Sequence, residues 1–319
     1  MSGTPDLNSR QRGGLWGALT GDALGVPVEF QDRAARLADP VTGMRGYGTH
    51  RQPAGTWSDD GALLLCSAES LVECGFDPED MGRRFVRWQD QGLWTAYGEV
   101  FDIGIATSQA LRRIRQGSPA GEAGGRDEFS NGNGSLMRIL PVVLASLEGT
   151  TEALRDRIHR ASAITHGHPR SQMACVYFAL LVRALMEGWS REEAVKSAAG
   201  DFVGIYEKSA EMPAFGRILD AGFGALPAMA INSGGYVMDT LEAAVWCLLR
   251  TGDFASCVLK AVNLGSDTDT TGCVAGALAG VFHGEQGIPA DWRGALPRQV
   301  ELARLFDELT CVCTSESAP

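Results

Sequence analysis

Residues 11–25, with the sequence QRGGLWGALTGDALG, decide the fold class. Apolar side chains in this stretch recur at the three- and four-residue spacing that places them on one side of an α-helix. They are Leu15, Ala18, Leu19 and Ala23. The pattern ends at Pro27, because proline lacks the backbone N–H and clashes with the preceding turn. The stretch is therefore predicted to be an α-helix.

The same helical spacing recurs along the rest of the chain. It covers residues 59–74, a stretch opened by Pro78, and residues 101–115, 136–147, 151–164, 170–187, 190–200, 211–224, 239–251, 253–263, 270–283 and 297–309. Short alternating runs typical of β-strands are missing. Small residues within the apolar stretches, as in GCVAGALAG at 272–280, indicate helix backbones that approach closely. The sequence predicts an all-α fold, built as a compact orthogonal multi-helix domain.

A single domain is predicted for residues 1–319, with a core at about 11–310. Residues 117–130 are rich in glycine, alanine and charge, which is typical of a loop. They would form a flexible surface loop or a flap over a site. A boundary between two domains is the alternative, and the similar helical patterning on both sides of the segment favours one domain.

Charge and composition exclude several classes of protein. The formal net charge is −11 and there is no Lys/Arg-rich run, so the electrostatic footprint of a nucleic-acid binder is missing. The polar N-terminus lacks the apolar core of a signal peptide, and no apolar run reaches the length of a membrane span. The eight cysteines form no CxxC pair, and most lie in apolar stretches typical of buried thiols. We expect a cytoplasmic protein that binds neither nucleic acid nor membrane, with a monomer favoured.

Two acidic clusters stand directly before apolar helices, TWSDDG at 56–61 and SDTDTT at 266–271. Helix capping explains one acid of each cluster, and capping alone is the alternative interpretation. It does not explain two carboxylates packed with several hydroxyls. Neighbouring carboxylates raise each other's pKa, and a hard divalent cation relieves that repulsion. The two clusters therefore predict a dimetal cleft, with Glu29, after the Pro27 bend, as a further ligand or base.

Two other motifs stand between helices. A glycine- and asparagine-rich loop, NGNGSLMR at 131–138, enters a helix, where backbone N–H groups can face an anion. A hairpin turn is the alternative for Asn-Gly, but no strands flank the loop. His166 and His168 lie in THGHP, and no third soft ligand for zinc is near. We therefore expect polar contact with a substrate.

In order along the chain, these motifs resemble the ADP-ribosylglycohydrolase family over roughly residues 11–283. They are GALTGDALGVPVEF, GTWSDD, FDIG, NGNGSLMR, THGHP, GGYVMDTLEAA and GSDTDTTGCVAGALAG. The resemblance implies an all-α fold with two Mg²⁺ or Mn²⁺ ions in a cleft. It also implies hydrolysis of the bond between ribose C1 and a protein side chain, most often arginine. The ligand would be an ADP-ribosylated protein or ADP-ribose.

The resemblance further implies roles for particular residues. The metal ligands would be Ser58, Asp59, Asp60, Asp267, Asp269 and Thr270. The diphosphate would lie in a cradle formed by Gly132, Asn133, Gly134 and Ser135. His166 would contact the ADP-ribose near the distal ribose, Asp102 would lie near the scissile bond, and Tyr236 would line the nucleotide pocket. Bound metal lowers the pKa of water, and either Asp60 or Glu29 would accept the proton on the way to an oxocarbenium-like transition state.

Two positions depart from the family pattern. Gly61 stands where many relatives carry a hydroxyl residue, which predicts a looser metal shell. Ile105 stands where many carry Asn, which removes a polar contact near the leaving group. The alternatives are therefore hydrolysis of another linkage, on serine or on a small-molecule derivative of ADP-ribose, or a catalytically weak ADP-ribose-binding relative. A metal-dependent phosphatase, suggested by DTDT at 267–270, is disfavoured because that motif should follow an apolar strand.

Overall fold

The structure, a computed structural model, describes residues 5–315, which form fourteen α-helices. These are α1 (Leu7–Gly25), α2 (Arg33–Ala38), α3 (Asp59–Cys74), α4 (Pro78–Gln91), α5 (Ile105–Arg115), α6 (Leu140–Leu144), α7 (Thr151–Ala163), α8 (Pro169–Met186), α9 (Arg191–Tyr206), α10 (Val237–Leu249), α11 (Phe254–Val262), α12 (Thr268–His283), α13 (Ala290–Ala295) and α14 (Gln299–Ser315). Short 3₁₀ helices lie at Val26–Val28, Gly48–His50, Ala120–Glu122, Met212–Phe215, Phe223–Ala225, Ala228–Ala230 and Glu285–Gly287. These described residues contain no β-strand, only isolated bridges, so the predicted all-α class is confirmed.

Most of the longer helices begin at a residue whose side chain accepts a backbone N–H of the first turn. Such a cap satisfies a donor that has no partner inside the helix. The capping residues are Asp6, Asp32, Ser58, Asp77, Thr150, His168, Ser190 and Asp253. Pro78 and Pro169 occupy the first helical positions of α4 and α8, where the missing N–H has no cost. Local sequence therefore determines where these helices start.

Helices α1 and α12 pack backbone against backbone along two rows of glycine. The rows consist of Gly13, Gly17 and Gly21 in α1 and of Gly272, Gly276 and Gly280 in α12. A Cβ added at Gly21 would lie 1.9 Å from the carbonyl oxygen of Gly272, so only glycine fits. The close approach predicted from small residues is confirmed. At the end of the row, Gly25 lies against the backbone of Asp269, which brings the end of α1 to the start of α12.

The pair α1 and α12 lies at the centre of the molecule. Every residue from 13 to 25 is buried, and so is every residue from 268 to 281. The apolar face predicted within residues 11–25 is therefore only part of the buried surface of α1. In contrast, the outer helix α9 buries only Ala194, Ala198 and Phe202. Because α1 ends and α12 begins inside the protein, the polar residues Asp22, Thr268 and Asp269 are buried too.

Several predicted features differ in the structure. Residues 211–224 form two 3₁₀ turns rather than one helix, because Pro213 and three glycines interrupt the apolar spacing. Helix α5 begins four residues later than predicted, at Ile105, and the stretch 136–147 contains only the short helix α6. Six of the eight cysteines are buried as expected, whereas Cys74 and Cys311 are exposed. None of the described helices is long and apolar enough to cross a membrane.

The first part of segment 117–130 packs against the protein. The N–H of buried Ala120 donates to the Glu79 carboxylate at 2.7 Å. The N–H of Gly124 donates to the carbonyl of Ala163 at 2.8 Å. These contacts leave residues 126–130 as the part of the segment available to act as a flap. Its flexibility and the single-domain organisation of residues 1–319 stay predictions.

Candidate active site

One cleft collects residues from both acidic clusters, from the glycine- and asparagine-rich loop and from the segment before α5. Its volume is about 470 Å³. Its lining includes Glu29, Asp59, Asp60, Asp102, Gly132, Asn133, Gly134, His166, Asp267 and Thr270. A larger cavity of about 570 Å³ lies beside α9, but its lining holds no acidic cluster. Chemistry rather than volume therefore marks the first cleft as the candidate functional site.

The N-terminus of α3 presents Asp59 and Asp60 to the cleft. Ser58 is the N-cap, and its hydroxyl oxygen accepts the N–H of Asp60 at 3.3 Å. The buried carboxylate of Asp22, in α1, accepts the N–H groups of Ser58 at 3.0 Å and Gly61 at 2.8 Å. Ser58 and Asp22 thus satisfy the N–H groups of Asp60 and Gly61 in the first turn of α3. Capping therefore leaves the carboxylates of Asp59 and Asp60 available to the cleft.

Gly61 faces away from the acids. A Cβ at this position would lie 2.7 Å from Leu19 Cδ2 and 2.8 Å from Trp57 Cβ, both in the apolar core. Packing between α3 and α1 therefore explains the glycine. Because Gly61 points into the core, its position gives no reason to expect a looser metal shell.

The N-terminus of α12 brings the second acidic cluster against the first. The hydroxyl of Thr270 donates to the Asp60 carboxylate at 3.3 Å. The side-chain amide of Asn133 donates to the Asp267 carboxylate at 2.8 Å, which ties the 131–134 loop to this cluster. Asp269 is fully buried next to them, and its carboxylate accepts the backbone N–H of Thr270 at 2.9 Å. The fold therefore joins clusters that lie far apart in the sequence.

A third group, formed by Glu29, His50 and Asp102, completes the cleft. His50 Nε2 forms a hydrogen bond with the buried carboxylate of Glu29 and lies 3.9 Å from Asp102. Phe30 and Asp102 have positive φ angles of 63° and 58°, a region that non-glycine residues enter only when their surroundings hold them there. The backbone beside both acids is thus held in a strained conformation at the cleft, as is common at functional sites.

The carboxylates of this cleft carry raised pKa values. Burial, reinforced by neighbouring carboxylates, raises the pKa of Asp59, Asp60 and Asp269 well above the usual range. The same causes raise the pKa of Glu29 to about 10. Among the described residues, His50 is the only basic side chain within ion-pair distance of these acids, and burial lowers the pKa of its ring. The cleft therefore has a deficit of positive charge.

Three carboxylate oxygens of the two acidic clusters are buried without a hydrogen-bond partner in the described part of the chain. They are Oδ2 of Asp60, Oδ1 of Asp267 and Oδ2 of Asp269. A buried acceptor without a donor costs free energy, which a bound cation removes. Oxygens of Glu29, Asp267 and Asp269 lie within 4.8 Å of one another, close enough to share one ion. This all-oxygen donor set fits a hard divalent cation.

The loop 131–134 offers backbone donors to the cleft. The N–H of Asn133 is used in a 3.1 Å bond to the carbonyl of Gly235, which anchors the loop to the start of α10. Within residues 5–315, the N–H groups of Gly132 and Gly134 bind no acceptor, and both residues line the cleft. Free backbone N–H groups beside a cavity form a site for an anion.

The remaining predicted substrate-binding residues occupy different places. The buried ring of His166 lines the cleft. Tyr236 lies beside the cleft-lining Gly235, and its hydroxyl accepts a 3.2 Å hydrogen bond from Arg170. Ser135 is fully buried outside the lining, where its hydroxyl accepts a 2.9 Å hydrogen bond from Ser162. Its side chain therefore supports the loop rather than facing a ligand.

Comparison with known proteins agrees with this geometry. The sequence profile described as ADP-ribosylglycohydrolase matches residues 3–318. The chain belongs to the ADP-ribosylglycohydrolase family. It is 32% identical to the ADP-ribosylarginine hydrolase Tri1 of Pseudomonas putida, an alignment that covers 94% of this chain and 77% of that protein. It is 30% identical to the ADP-ribosyl-[dinitrogen reductase] glycohydrolase of Rhodospirillum rubrum, with 93% of each covered.

A solved structure also resembles this ADP-ribosylglycohydrolase. It is described as an ADP-ribosylglycohydrolase-related protein complex. The TM-score is 0.82 and the sequence identity is 36%, with 97% of this chain and 99% of the other covered. The family and the fold predicted from the ordered motifs are therefore confirmed.

Two polar residues of this candidate site could not be assigned from the sequence alone. Asp22 was seen only as part of the GALTGDALGVPVEF motif, yet it holds the N-terminus of α3. An acid in an otherwise apolar helix was the signal that could have revealed it. His50 lies in a loop with no recognised motif, and no sequence pattern indicated its contact with Glu29.

Proposed function

We propose that this protein is a metal-dependent hydrolase that removes ADP-ribose from a modified protein side chain, with arginine as the first candidate. The observation that carries the proposal is one cleft lined both by acids at the N-termini of α3 and α12 and by Gly132 and Gly134, whose N–H groups bind no acceptor among the described residues. Such a cleft suits a ligand with both ribose hydroxyls and a diphosphate. The names of the Pseudomonas and Rhodospirillum relatives support this substrate class.

Two Mg²⁺ or Mn²⁺ ions are the proposed cofactors. Their ligands would come from Ser58, Asp59, Asp60, Asp267, Asp269 and Thr270, with Glu29 beside them. When bound, the ions would fix ribose hydroxyls and make a bound water acidic enough to lose its proton near neutral pH. The buried oxygens without donors on Asp60, Asp267 and Asp269 support this ligand set.

Glu29 is the proposed proton acceptor. Its carboxylate is hydrogen-bonded to His50, and burial together with the neighbouring carboxylates raises its pKa to about 10. Positive charge in the acidic cluster would lower this pKa towards the working range of a general base. Asp60, the other candidate, is already bonded to Thr270 and belongs to the ligand set, so we assign it the role of ligand first.

The remaining residues bind and orient the substrate. Gly132 and Gly134 would donate backbone N–H groups to the diphosphate, and Asn133 would hold Asp267 in position through its 2.8 Å hydrogen bond. His166 would donate to the sugar end of the ligand. Asp102, on the strained backbone before α5, would face the leaving group. As an oxocarbenium-like transition state develops at ribose C1, the surrounding carboxylates would stabilise its positive charge.

A second candidate function is hydrolysis of another ADP-ribosyl linkage, on serine or on a small molecule. The observation that favours it is Ile105, which lines the cleft with an exposed apolar side chain. An apolar residue offers no hydrogen bond to a guanidinium leaving group. The same missing hydrogen bond would also explain a protein that binds ADP-ribose but catalyses its release weakly.

The decisive experiment measures free ADP-ribose released from an ADP-ribosylarginine protein, with Mg²⁺ or Mn²⁺ and then with a chelator. We expect release that the chelator abolishes and that Asp59→Ala plus Asp269→Ala also abolishes. Asp291→Ala, at an exposed acid of α13, is the matched control and should be as active as the wild type. Full activity of the double variant would refute the proposal, and release only from serine-linked substrate would support the second candidate.

The wider expectations from the sequence stay predictions. They are a cytoplasmic location, a monomeric state and the absence of nucleic-acid or membrane partners. Both Mg²⁺ and Mn²⁺ take oxygen ligands, so the release assay with each ion decides between them.

A further inference from the structure

Arg138 is a buried cation behind the cleft. Its side chain is fully buried, and its guanidinium lies 4.6 Å from the centre of the Phe85 ring. Its Nη2 donates to the carbonyl of Ala161 at 3.2 Å and to the hydroxyl of Thr165 at 2.8 Å. Guanidinium nitrogens only donate, so Thr165 Oγ1 must be the acceptor of that second bond.

The hydroxyl of Thr165 has a single proton, which needs a hydrogen-bond acceptor. Thr165 is fully buried, and the other polar atom in contact with its hydroxyl is Nδ1 of His166, at 2.8 Å. If His166 Nδ1 carried a proton, the Thr165 hydroxyl proton would have no acceptor in this buried site, which costs free energy. The hydroxyl therefore donates to Nδ1, and Nδ1 carries no proton.

The state of Nδ1 determines what His166 presents to the cleft. Burial and the neighbouring Arg138 lower the pKa of His166 to about 3, so the ring is neutral near pH 7. A neutral imidazole with bare Nδ1 carries its proton on Nε2. Nε2 lies on the side of the loop, 3.3 Å from where a Cβ of Gly132 would stand. The ring therefore directs an N–H donor to the part of the cleft beside the 131–134 loop.

We propose that Thr165, oriented by Arg138, is a positioning residue that holds His166 as the Nε2–H tautomer and so makes it a donor to an oxygen of the bound ligand. The identity of that ligand as ADP-ribose rests on the proposed function, whereas the tautomer does not. The hydrogen-bond chain from Arg138 through Thr165 to His166 gives this buried cation a part in ligand binding without contact with the ligand.

The first test reads the tautomer directly by NMR of the full chain with ¹⁵N-labelled histidine. There are five histidines, and His166→Gln identifies the signal of His166. The wild type should show protonated Nε2 and bare Nδ1. Thr165→Val, which keeps the shape of the side chain, should shift both ring nitrogens as the second tautomer becomes populated, and Thr165→Ser should restore the wild-type signals. A protonated Nδ1 in the wild type, or no shift in Thr165→Val, would overturn the proposal.

His168 is an internal control in the same spectrum. Its Nδ1 accepts the backbone N–H of Arg170 at 3.1 Å, so it is held as the same tautomer by a donor that Thr165→Val leaves in place. Its signals should not move in the Thr165 variants. A shift of His166 and His168 together would indicate general disruption and would count against a specific role for Thr165.

The second test reads ligand affinity by calorimetry with ADP-ribose and Mg²⁺ or Mn²⁺. Thr165→Val should weaken binding roughly 3- to 10-fold, the range of one lost hydrogen bond, and Thr165→Ser should not. In the His166→Gln background, Thr165→Val should have no further effect, because it acts through His166. An equal loss in both backgrounds would overturn the positioning role. If the wild type bound no ADP-ribose, the proposed function would fail while the NMR result still decided the tautomer.

Discussion

The carboxylate of Asp22 accepts the backbone N–H of Gly61 at 2.8 Å, and this bond joins the central helix α1 to the N-terminus of α3. The same carboxylate accepts the N–H of Ser58 at 3.0 Å. Asp22 therefore determines where the first acidic cluster lies relative to α1, and the glycine row of α1 determines where α12 and the second cluster lie. Burial raises the pKa of Asp22 to about 7, although these two hydrogen bonds favour its charged form.

Replacement of Asp22 tests this arrangement. Asp22→Ala leaves two buried N–H groups without an acceptor, so we expect the free energy of unfolding to fall by about 3 kcal/mol. Asp22→Asn keeps one acceptor oxygen and should lose less. Asp201→Ala, at an exposed acid of α9, is the control and should be within about 0.5 kcal/mol of the wild type. Urea denaturation measures all three, and equal stability of the two alanine variants would contradict the role of Asp22.

A pair of glycine-to-alanine substitutions tests the close packing of α1 and α12. Gly21→Ala places a methyl group 1.9 Å from the carbonyl oxygen of Gly272, and neither backbone can move alone, so we expect a loss of at least about 3 kcal/mol. Gly200→Ala, within α9, meets nothing within 4 Å and should stabilise by roughly 0.5–1 kcal/mol. Thermal denaturation compares the two, and a shift of the same sign would show that packing does not explain the glycine row.

The helical class was predictable because most helices here carry strong local signals. Apolar spacing and capping residues such as Ser58 and Ser190 are visible in the sequence, and they start helices in the structure. The error at 211–224 arose because apolar spacing alone says nothing about hydrogen bonding, and Pro213 and the glycines end each turn early. Local patterns thus predicted which helices exist better than they predicted the residues at which those helices begin and end.

The acids of the site were predictable only in part. Asp59 and Asp269 stand out because helix capping explains only one acid of each cluster. His50 reaches Glu29 only through a turn in which Tyr47 and Arg51 have positive φ, 67° and 56°. Such backbone angles depend on tertiary contacts and leave no periodic pattern. The interaction of His50 with Glu29 therefore could not be predicted from the sequence.

The raised pKa values predict how stability without metal depends on pH. The folded-state pKa values of Asp22 and Glu29, about 7 and 10, exceed the unfolded values near 4. Their contribution to stability is complete below the unfolded pKa and is lost as pH rises through the folded pKa. With a chelator present, the melting temperature should therefore fall between pH 5 and pH 9 on the order of several degrees.

Adding Mg²⁺ or Mn²⁺ should reduce this fall in melting temperature with rising pH. The reason is that an ion stabilises the charged carboxylates that the folded protein otherwise disfavours. Melting curves at a series of pH values, with and without the ion, measure both effects. A melting temperature that rises with pH in the chelated protein would show that the acids are not held protonated. The Asp59→Ala plus Asp269→Ala variant should show a weaker pH dependence in the absence of metal.

Ile105 offers a test of acceptor preference. Its side chain is 78% exposed and lines the cleft, so Ile105→Asn should leave stability within about 0.5 kcal/mol of the wild type. An amide there can bond a guanidinium leaving group, so kcat/KM for ADP-ribosylarginine protein should rise about 2- to 10-fold, with a smaller change for the serine-linked substrate. Val300→Asn, at an equally exposed residue (83%) of α14, is the matched control. If both variants changed kcat/KM alike, or if Ile105→Asn favoured serine, Ile105 would not explain the choice of acceptor.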